Sequence, residues 1–441
     1  MDPQASDLLE NIRQQFDTLP YPHFPLDATP KDIPGQLYLH SLTNPFYFRD
    51  RRIIDPTGRL ILDAGCGSGY KSLSLAIANP GAQIVGVDLS DESIKFARQR
   101  LQYHGFEQVK FHTCLLEHLP SLNLQFDYIN CDEVLYLLPD PIAGLRAMKA
   151  VLKPDGIIRV NFHSLFQRAV YLRGQEFFAH LTESHLPTQA ERIEQVRVVM
   201  RSLKAEVFLK NATWKPIYET DDARVLTNYL LQGDKGWTIP QFFSALQETE
   251  LAFIGMVDWR QWDLTQLFES VDDLPIEVVM HLSETSIADQ LHLYELIHPV
   301  HRLLDLWCGH PTPPSPAPHP ATWSTAAWQR AIVHFHPQLV TPTFQEALFA
   351  AAMQLTSFDF NSHLRLSETP VTVEGSIAAW LLPLSQSPQA LPALLHHWLQ
   401  LKPIDPITLE PTLQQTALSA VQSWLLRLES AGYVLLELRD S

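Results

Sequence analysis

The chain has 441 residues and a formal net charge of −17, from 32 lysines and arginines against 49 aspartates and glutamates. This length predicts two or three domains. A hydrophobic content of 46% with 18% charged residues is typical of a globular protein. The acidic balance argues against a nucleic-acid partner, because phosphate binding needs a basic surface. Four cysteines without paired spacing and the lack of a membrane-spanning apolar run predict a cytoplasmic protein without a membrane partner.

The first 36 residues predict a helix followed by a stiff arm. Residues Ser6 to Phe16 have helical spacing, with Ser6 as the expected cap. The arm, Tyr21 to Leu26, reads YPHFPL, and its two prolines exclude a helix there. Two interpretations stay open for this arm: it folds over a ligand pocket as a lid, or it packs on the outside of the domain.

A glycine-rich turn between two apolar runs is the most informative stretch of the chain. Leu60 to Leu62 predicts a short buried strand, which ends at Asp63. Three glycines on alternate positions follow it: Gly65, Gly67 and Gly69. A helical stretch and a second apolar run come next, and that run ends in Asp88, whose carboxylate can accept from both hydroxyls of a ribose. This order predicts a nucleoside-binding half of a doubly wound sheet.

The spacing of these glycines distinguishes two cofactor classes. A dinucleotide oxidoreductase is expected to show G-x-G-x-x-G, with the helix N-terminus facing a pyrophosphate. Here an acid, Asp63, precedes the turn, and an acid suits a cationic or amino-bearing ligand better. The sequence DAGCGSG resembles motif I of the class I S-adenosylmethionine (SAM)-dependent methyltransferases. The resemblance implies a Rossmann-like, mostly parallel sheet and SAM as the cofactor.

The resemblance also implies which residues hold SAM. They are Asp63, Gly65, Cys66, Gly67, Gly69, Asp88, Leu89, Leu116 and Cys131. In the family, the third strand (here Val109 to His112) is commonly followed by an aspartate that holds the adenine amino group. Leu115 stands at that position, so the adenine is expected to rest on apolar and backbone contacts or on Glu117.

The segment after the fourth predicted strand resembles the region where methyl group and acceptor meet in this family. That strand is Phe126 to Cys131, and the sequence DEVLYLLPDP follows it. The string LKPDGIIRV, which predicts a helix end, a turn and a fifth strand from Ile157 to Phe162, matches the family's usual turn. The predicted catalytic residues are Asp132, Tyr136 and His163. Candidate bases are Asp132, Glu133 and His163, with Tyr136 and Asn161 as orienting groups.

The middle of the chain predicts mainly helices, at residues 163–180 and 190–210 and around 239–246. A further amphipathic helix is expected from Glu295 to Gly309. Its string LDLWCG echoes the first strand and turn, but Trp307 replaces the first glycine, so we interpret the echo as chance. We expect no metal, because the candidate ligands lack the paired spacing of a structural zinc site: His298, His301, Cys308 and His310.

A proline-rich stretch, residues 310–320, predicts a linker to a separate C-terminal block. That block ends in a helix from Leu413 to Glu429 and a strand from Tyr433 to Leu438, an order similar to the end of a winged-helix module. Its acidic balance favours protein contact or packing over DNA binding. The order of arm, core, helical middle and appended end resembles bacterial methyltransferases with a regulatory domain, which include protein-lysine methyltransferases.

The predicted fold is therefore α/β, a doubly wound SAM-binding domain with a helical middle and a winged-helix-like α+β end. The expected divisions are residues 1–36, 37–165, 166–309, 310–320 and 321–441. Three function classes follow: an active SAM-dependent methyltransferase, which we favour, a SAM-binding regulator without catalysis, and a dinucleotide oxidoreductase, which the glycine spacing disfavours. The expected partner is a methyl acceptor, either a protein or a small molecule. A homo-oligomer through the middle or C-terminal domain stays open.

Overall fold

The structure is a computed structural model that describes residues 3–18, 20–182, 188–311, 318–367, 369–405 and 408–438. The α-helices are α1 Pro3–Thr18, α2 Pro34–Leu39, α3 Thr43–Asp50, α4 Tyr70–Ala78, α5 Asp91–Tyr103, α6 Pro141–Ala150, α7 Leu165–Thr182, α8 Gln189–Ser202, α9 Phe208–Thr213, α10 Asp222–Tyr229, α11 Ile239–Thr249, α12 Ile276–Glu284, α13 Ile287–Ile297, α14 Thr325–Gln329, α15 Pro342–Gln354, α16 Gly375–Leu381, α17 Leu391–Leu401 and α18 Gln414–Ser430. The strands are β1 Leu60–Ala64, β2 Gln83–Asp88, β3 Lys110–Thr113, β4 Phe126–Cys131, β5 Leu152–His163, β6 Ala252–Met256, β7 Leu303–Gly309, β8 Ala331–Phe335, β9 Phe358–Asp359, β10 Thr372–Val373, β11 Gln389–Ala390 and β12 Val434–Leu438.

The chain forms two compact units, and the first holds a seven-stranded sheet. This unit comprises Met1–Ala28, Gly58–Leu73 and Ala82–Thr312. The strand order is β3-β2-β1-β4-β5-β7-β6. The first five strands are parallel, β7 is antiparallel to β5, and β6 is antiparallel to β7. The predicted doubly wound, mostly parallel sheet is confirmed.

The predicted helix at Glu295 to Gly309 is wrong. Helix α13 ends at Ile297, and Leu303–Gly309 forms β7 between β5 and β6. Five of the seven residues of β7 are buried, and the strand has a neighbour on each edge. Periodicity alone does not distinguish such a buried apolar run from part of a helix. LDLWCG is thus a sheet strand, and no glycine turn follows it.

Two smaller expectations also shift. The first helix begins at Pro3, so Ser6 lies inside it and does not cap it. The fifth strand begins at Leu152, because residues 153–156, expected as a turn, belong to β5 beside an irregular register with β4. The fourth strand has the expected bounds. Ser90 caps α5, and its hydroxyl accepts from Ser93 N at 3.0 Å.

The helical middle of the chain builds a second small core within the first unit. Helices α7 to α10 surround Phe178, Met200, Tyr218 and Tyr229. The rings of Phe178 and Tyr218 pack against Tyr229, with centroids 5.9 and 5.6 Å away. The expected helices at residues 163–180 and 190–210 are confirmed as α7, α8 and α9. This lobe follows His163 directly and supplies one wall of the site described below.

The second unit comprises Thr29–Thr57, Ser74–Gly81 and Pro313–Ser441. It has its own core and a three-stranded antiparallel sheet in the order β11-β8-β12. Residues of α3 belong to it because Tyr47 and Arg51 both bind the buried carboxylate of Glu429 in α18. The expected C-terminal helix and strand are confirmed as α18 and β12, whereas the likeness to a winged helix stays a prediction.

The predicted linker falls mostly on residues 312–317, which lie outside the described residues, and the predicted domain divisions stay predictions. None of the helices among the described residues is long and apolar enough to cross a membrane. Within the same residues, no group of three or more His, Cys, Asp or Glu side chains is arranged to hold a metal ion.

Candidate active site

The glycine turn after β1 packs so closely against its neighbours that it has no space for a side chain at Gly67. Gly65 N and Cys66 N donate to Val87 O of β2 at 2.8 and 2.9 Å, which closes the turn against the neighbouring strand. Gly67 has a φ of +50°, and a Cβ there would lie 2.0 Å from Tyr21 O. Glycine is therefore required at this position both for its backbone conformation and for the close approach of the N-terminal arm.

Asp88 holds the turn from the end of β2. One carboxylate oxygen accepts from Gly67 N and the other from Ser90 N, both at 2.9 Å. Burial raises the pKa of Asp88 to about 6, although both hydrogen bonds oppose the rise. Since a carboxylate oxygen has two lone pairs, each oxygen keeps one for a further donor. The carboxylate thus supports the helix start and also faces a cavity.

The N-terminal arm lies on the glycine turn. Ser68 N donates to Tyr21 O at 2.8 Å, and the Ser68 hydroxyl donates to Pro22 O at 2.7 Å. The buried Arg100 guanidinium donates to Phe24 O, Pro25 O and Ser68 O at 2.7–3.0 Å and joins the arm to the turn. The arm therefore covers the turn, as the lid interpretation expects.

A cavity lies between the turn and the arm. Helix α1 contributes Leu9, Ile12 and Phe16 to its wall, beside Tyr21 and Pro22 of the arm. Six residues predicted to hold the cofactor line it: Gly65, Cys66, Gly67, Asp88, Leu89 and Leu116. Leu115 and Glu117, the two alternatives for the adenine edge, line it as well.

Three other predicted cofactor residues lie behind the cavity wall. Asp63 is buried and accepts from the Ser72 hydroxyl at 2.6 Å and from Asn130 Nδ2 at 2.9 Å. Gly69 lets α5 approach, since a Cβ there would lie 2.8 Å from Ala97 Cα. Cys131 is fully buried in the sheet core. Their contact with a cofactor stays a prediction, and the structure gives them supporting positions.

A buried charge cluster follows β4. Lys71 Nζ pairs with Asp132 Oδ2 at 2.6 Å and with Glu133 Oε2 at 3.2 Å. Asn161 of β5 fixes both acids, because its Nδ2 donates to Asp132 Oδ1 at 2.6 Å and its Oδ1 accepts from Glu133 N at 2.7 Å. Glu133 has a φ of +63°, a strained conformation for a non-glycine residue. Lys71, Asp132 and Glu133 all line the cavity.

An open groove adjoins the cavity. The two share five lining residues: Phe16, Tyr21, Pro22, Glu133 and Leu137. Tyr136 and His163, two of the three predicted catalytic residues, line the groove, whereas Asp132 lines the cavity. The rings of Tyr136 and His163 stack with centroids 4.0 Å apart. The structure thus brings the predicted catalytic residues to the two sides of one junction.

His163 is half of a buried dyad. Its Nδ1 lies 2.7 Å from Asp234 Oδ1, and both side chains are almost completely buried. The carboxylate accepts from Nδ1–H, which leaves the lone pair on Nε2. Burial lowers the pKa of His163, and the nearby arginines Arg168 and Arg302 lower it further against the pull of Asp234. The imidazole is therefore neutral at pH 7.

The register of the sheet explains why distant residues meet at His163. His163 is the last residue of β5 and pairs with Leu303, the first residue of β7, which brings Arg302 alongside. Trp237 N donates to His163 O at 2.8 Å, and this bond holds the loop containing Asp234 against the strand end. Sequence reasoning missed Lys71, Asp234 and Arg302. The one available signal was Asp234 between two glycines in QGDKG.

The strand order, the glycine turn and a cavity at the carboxyl ends of the parallel strands define the architecture of the class I SAM-dependent methyltransferases. Residues 57–222 match the family model described as a methyltransferase domain. The chain thus contains a methyltransferase domain of this class, with SAM as its cofactor.

Several curated proteins are similar to parts of this chain. An uncharacterized protein of Synechococcus sp. is 27% identical over 263 residues, which are 59% of this chain and 62% of that protein. Ubiquinone biosynthesis O-methyltransferases of Haemophilus ducreyi and Bordetella bronchiseptica are 35% and 39% identical over 105 and 104 residues, 23% of this chain and 44% and 41% of those proteins. The chain therefore spans less than two thirds of each of these curated relatives.

Among solved structures, PKMT2 from Rickettsia typhi in complex with AdoHcy matches 95% of this chain and 78% of its own, with a TM-score of 0.60 and 18% identity. At this identity the likeness shows a shared fold. It extends over nearly the whole chain, well beyond the residues matched by the family model.

Proposed function

We propose that this protein is a SAM-dependent methyltransferase that acts on a hydroxyl-bearing acceptor bound in the groove. The observation that carries the proposal is the His163–Asp234 dyad, whose imidazole lines the groove next to the cavity. A neutral imidazole held by a buried carboxylate suits removal of a proton from the acceptor. The acceptor is a small molecule or a protein side chain. The four cysteines are free, which supports a cytoplasmic location.

The residues around the cavity fit SAM. Bound SAM supplies a methyl group activated by a sulfonium leaving group. The free lone pairs of Asp88 would accept from the ribose hydroxyls, and Leu89 and Leu116 would pack on the adenine. Lys71 would hold the carboxylate of the methionine part, and Asp132 would accept from its ammonium. Each of these side chains lines the cavity.

Of the candidate bases, we assign proton removal to His163. Asp132 is already held by Lys71 at 2.6 Å and by Asn161 at 2.6 Å, so it acts in positioning. Glu133 lies between cations in the same cluster. His163 Nε2 would take the acceptor proton, Asp234 would stabilise the imidazolium, and stacking on Tyr136 would keep the ring in place.

The test is transfer of a labelled methyl group from SAM to a cell extract by the full chain. We expect labelled product with the wild type and a loss of about 10²- to 10⁴-fold in rate with His163→Gln. His118→Gln is the matched control, because His118 is an exposed histidine of the same unit. SAM affinity measured by calorimetry should stay the same in both variants. Unchanged turnover in His163→Gln would remove the base assignment.

A SAM-binding regulator without catalysis is the second candidate, and one observation favours it. Arg302 Nη1 donates to His163 Nε2 at 3.1 Å, so the proposed base is occupied in this structure. A regulator would bind SAM but label nothing in the extract. A homo-oligomer through the middle or C-terminal region also belongs to this proposal, and sedimentation of the full chain tests it.

A further inference from the structure

Arg302 occupies the lone pair that the proposed reaction needs. Its Nη1 lies 3.1 Å from His163 Nε2, and its Nη2 pairs with Glu133 Oε1 at 2.5 Å. The side chain is 44% exposed and lines the groove. Because a guanidinium keeps its charge at any physiological pH, a proton arriving on Nε2 would place two cations in contact. In this arrangement His163 cannot act as a base.

Glu133 does not need Arg302 in order to stay paired. Its other oxygen accepts from the Tyr21 hydroxyl at 3.3 Å and pairs with Lys71 Nζ at 3.2 Å. Arg302 precedes β7, and its half-exposed guanidinium faces the groove. A shift of this side chain would therefore leave the buried carboxylate of Glu133 with two partners.

The other charges of the groove favour an anionic ligand. The remaining acids that line it already hold cations: Asp221 pairs with Arg224 at 3.0 Å, and Asp222 with Arg197 at 2.5 Å. Lys215 lines the same groove, and no ion pair joins it to an acid within the described part of the chain. A carboxylate is also the group that a guanidinium binds with two parallel hydrogen bonds.

We propose that Arg302 is the acceptor-recognition residue, and that it leaves His163 Nε2 when it pairs with a carboxylate on the acceptor. The substrate class is then a hydroxy acid, a molecule with both an anionic group and a hydroxyl nucleophile. This inference rests on the proposed function. The acceptor carboxylate takes the guanidinium, and the acceptor hydroxyl reaches the freed nitrogen.

The step balances without a further reactant. The acceptor O–H proton moves to His163 Nε2, and the oxygen forms a bond to the methyl carbon. The electron pair of the broken carbon–sulfur bond stays on sulfur, which becomes a neutral thioether. The imidazolium then returns its proton to solvent through the open groove.

The test compares matched acids and amides as acceptors for labelled SAM with the full chain. The pairs are 3,4-dihydroxybenzoate, salicylate and 4-hydroxyphenylacetate against their carboxamides. We expect at least one acid to be methylated about ten- to a hundredfold faster than its amide, the ratio that one charge-assisted hydrogen bond supports. Arg302→Gln should remove that preference, and Arg224→Gln, an arginine that lines the same groove, should keep it.

A pH profile supplies an independent readout. Removing the cation beside Nε2 should raise the pKa of His163, so the acid limb of the rate profile should move to higher pH in Arg302→Gln. The melting temperature shows whether that variant is folded, and Arg302→Lys, which keeps the charge, should retain part of the preference for acids.

Amides methylated as fast as acids, or a preference that survives in Arg302→Gln, would overturn the proposal. Label in a cell extract with none in any acid would overturn it while leaving the methyltransferase proposal intact. If neither the cell extract nor any of the acids is labelled, the result would count against both this proposal and the methyltransferase proposal.

Discussion

The cavity and the groove meet at Glu133, yet they are built in different ways. The cavity uses short runs that follow successive strands: the glycine turn, Asp88 and Leu89, the segment 114–117, and the segment 132–134. The groove is lined by His163 and Arg302, which are 139 residues apart in the chain, and His163 is held from behind by Asp234, 71 residues away. The proposed cofactor site is thus built from a local motif, whereas the proposed acceptor site is assembled from loops that the sheet register brings together.

Burial acts on the titratable groups of both regions, with opposite signs. It raises the pKa of the Asp88 carboxyl to about 6 and lowers the pKa of the His163 imidazole. In each case the low-dielectric surroundings disfavour the charged form. For Asp88 the consequence is a carboxylate that loses its charge in mild acid, and for His163 it is a base that is neutral at pH 7. Variants that affect only the cavity or only the groove can therefore distinguish the roles of the two regions.

The largest effect is expected at the glycine turn. Gly67→Val would place a Cβ 2.0 Å from Tyr21 O and displace the arm that forms the cavity wall. We expect SAM affinity to fall more than about a hundredfold, beyond calorimetric detection, because the lost space cannot be recovered by rotation of a side chain. Circular dichroism should show a folded protein.

Gly105→Val is the matched control for backbone strain. Gly105 also has a positive φ, +81°, but a Cβ there would meet no atom within 4 Å. This variant should lose stability through strain and keep its SAM affinity. Equal loss of affinity in both variants would indicate that strain, and not the cavity, explains the result at Gly67.

The second-largest effect is expected on the rate of methyl transfer when Asp234, the partner of His163, is changed. Asp234→Asn would keep the shape of the dyad but remove the charge that fixes the Nδ1–H tautomer and stabilises the imidazolium. We expect methyl transfer to slow by about a hundredfold with SAM affinity unchanged, since Asp234 does not line the cavity. The double variant with His163→Gln should be no slower than His163→Gln alone, because the two residues act as one unit. Additive losses would contradict the dyad.

The sequence predicts the cavity better than the groove for a physical reason. Glycine spacing, an acid at a strand end and short apolar runs are local features of the sequence, so Gly67 and Asp88 could be recognised from their neighbours. Arg302 is placed by the antiparallel pairing of β7 with β5. The apolar run of β7 is compatible with a helix as well as a strand, so the sequence did not predict this pairing. Lys71 stands in the helix after the turn, where a lysine is ordinarily solvated, and only the fold brings Asp132 and Glu133 to it.

The smallest effect, and the one that tests the cavity most directly, is expected at Asp88. Its oxygens already accept from Gly67 N and Ser90 N, so a ribose would use the remaining lone pairs. Asp88→Ala should weaken SAM by about ten- to a hundredfold, the value of a hydrogen bond to a charged acceptor. Asp88→Asn should weaken it less, because one amide oxygen can still accept.

With a pKa of about 6, the wild-type carboxyl is protonated below that pH, so SAM affinity should decline as the pH falls through 6. Asp88→Asn should lack this decline. An Asp88→Ala protein that melts early but binds SAM normally, with the same pH dependence as the wild type, would reduce Asp88 to a support for the turn and the helix start.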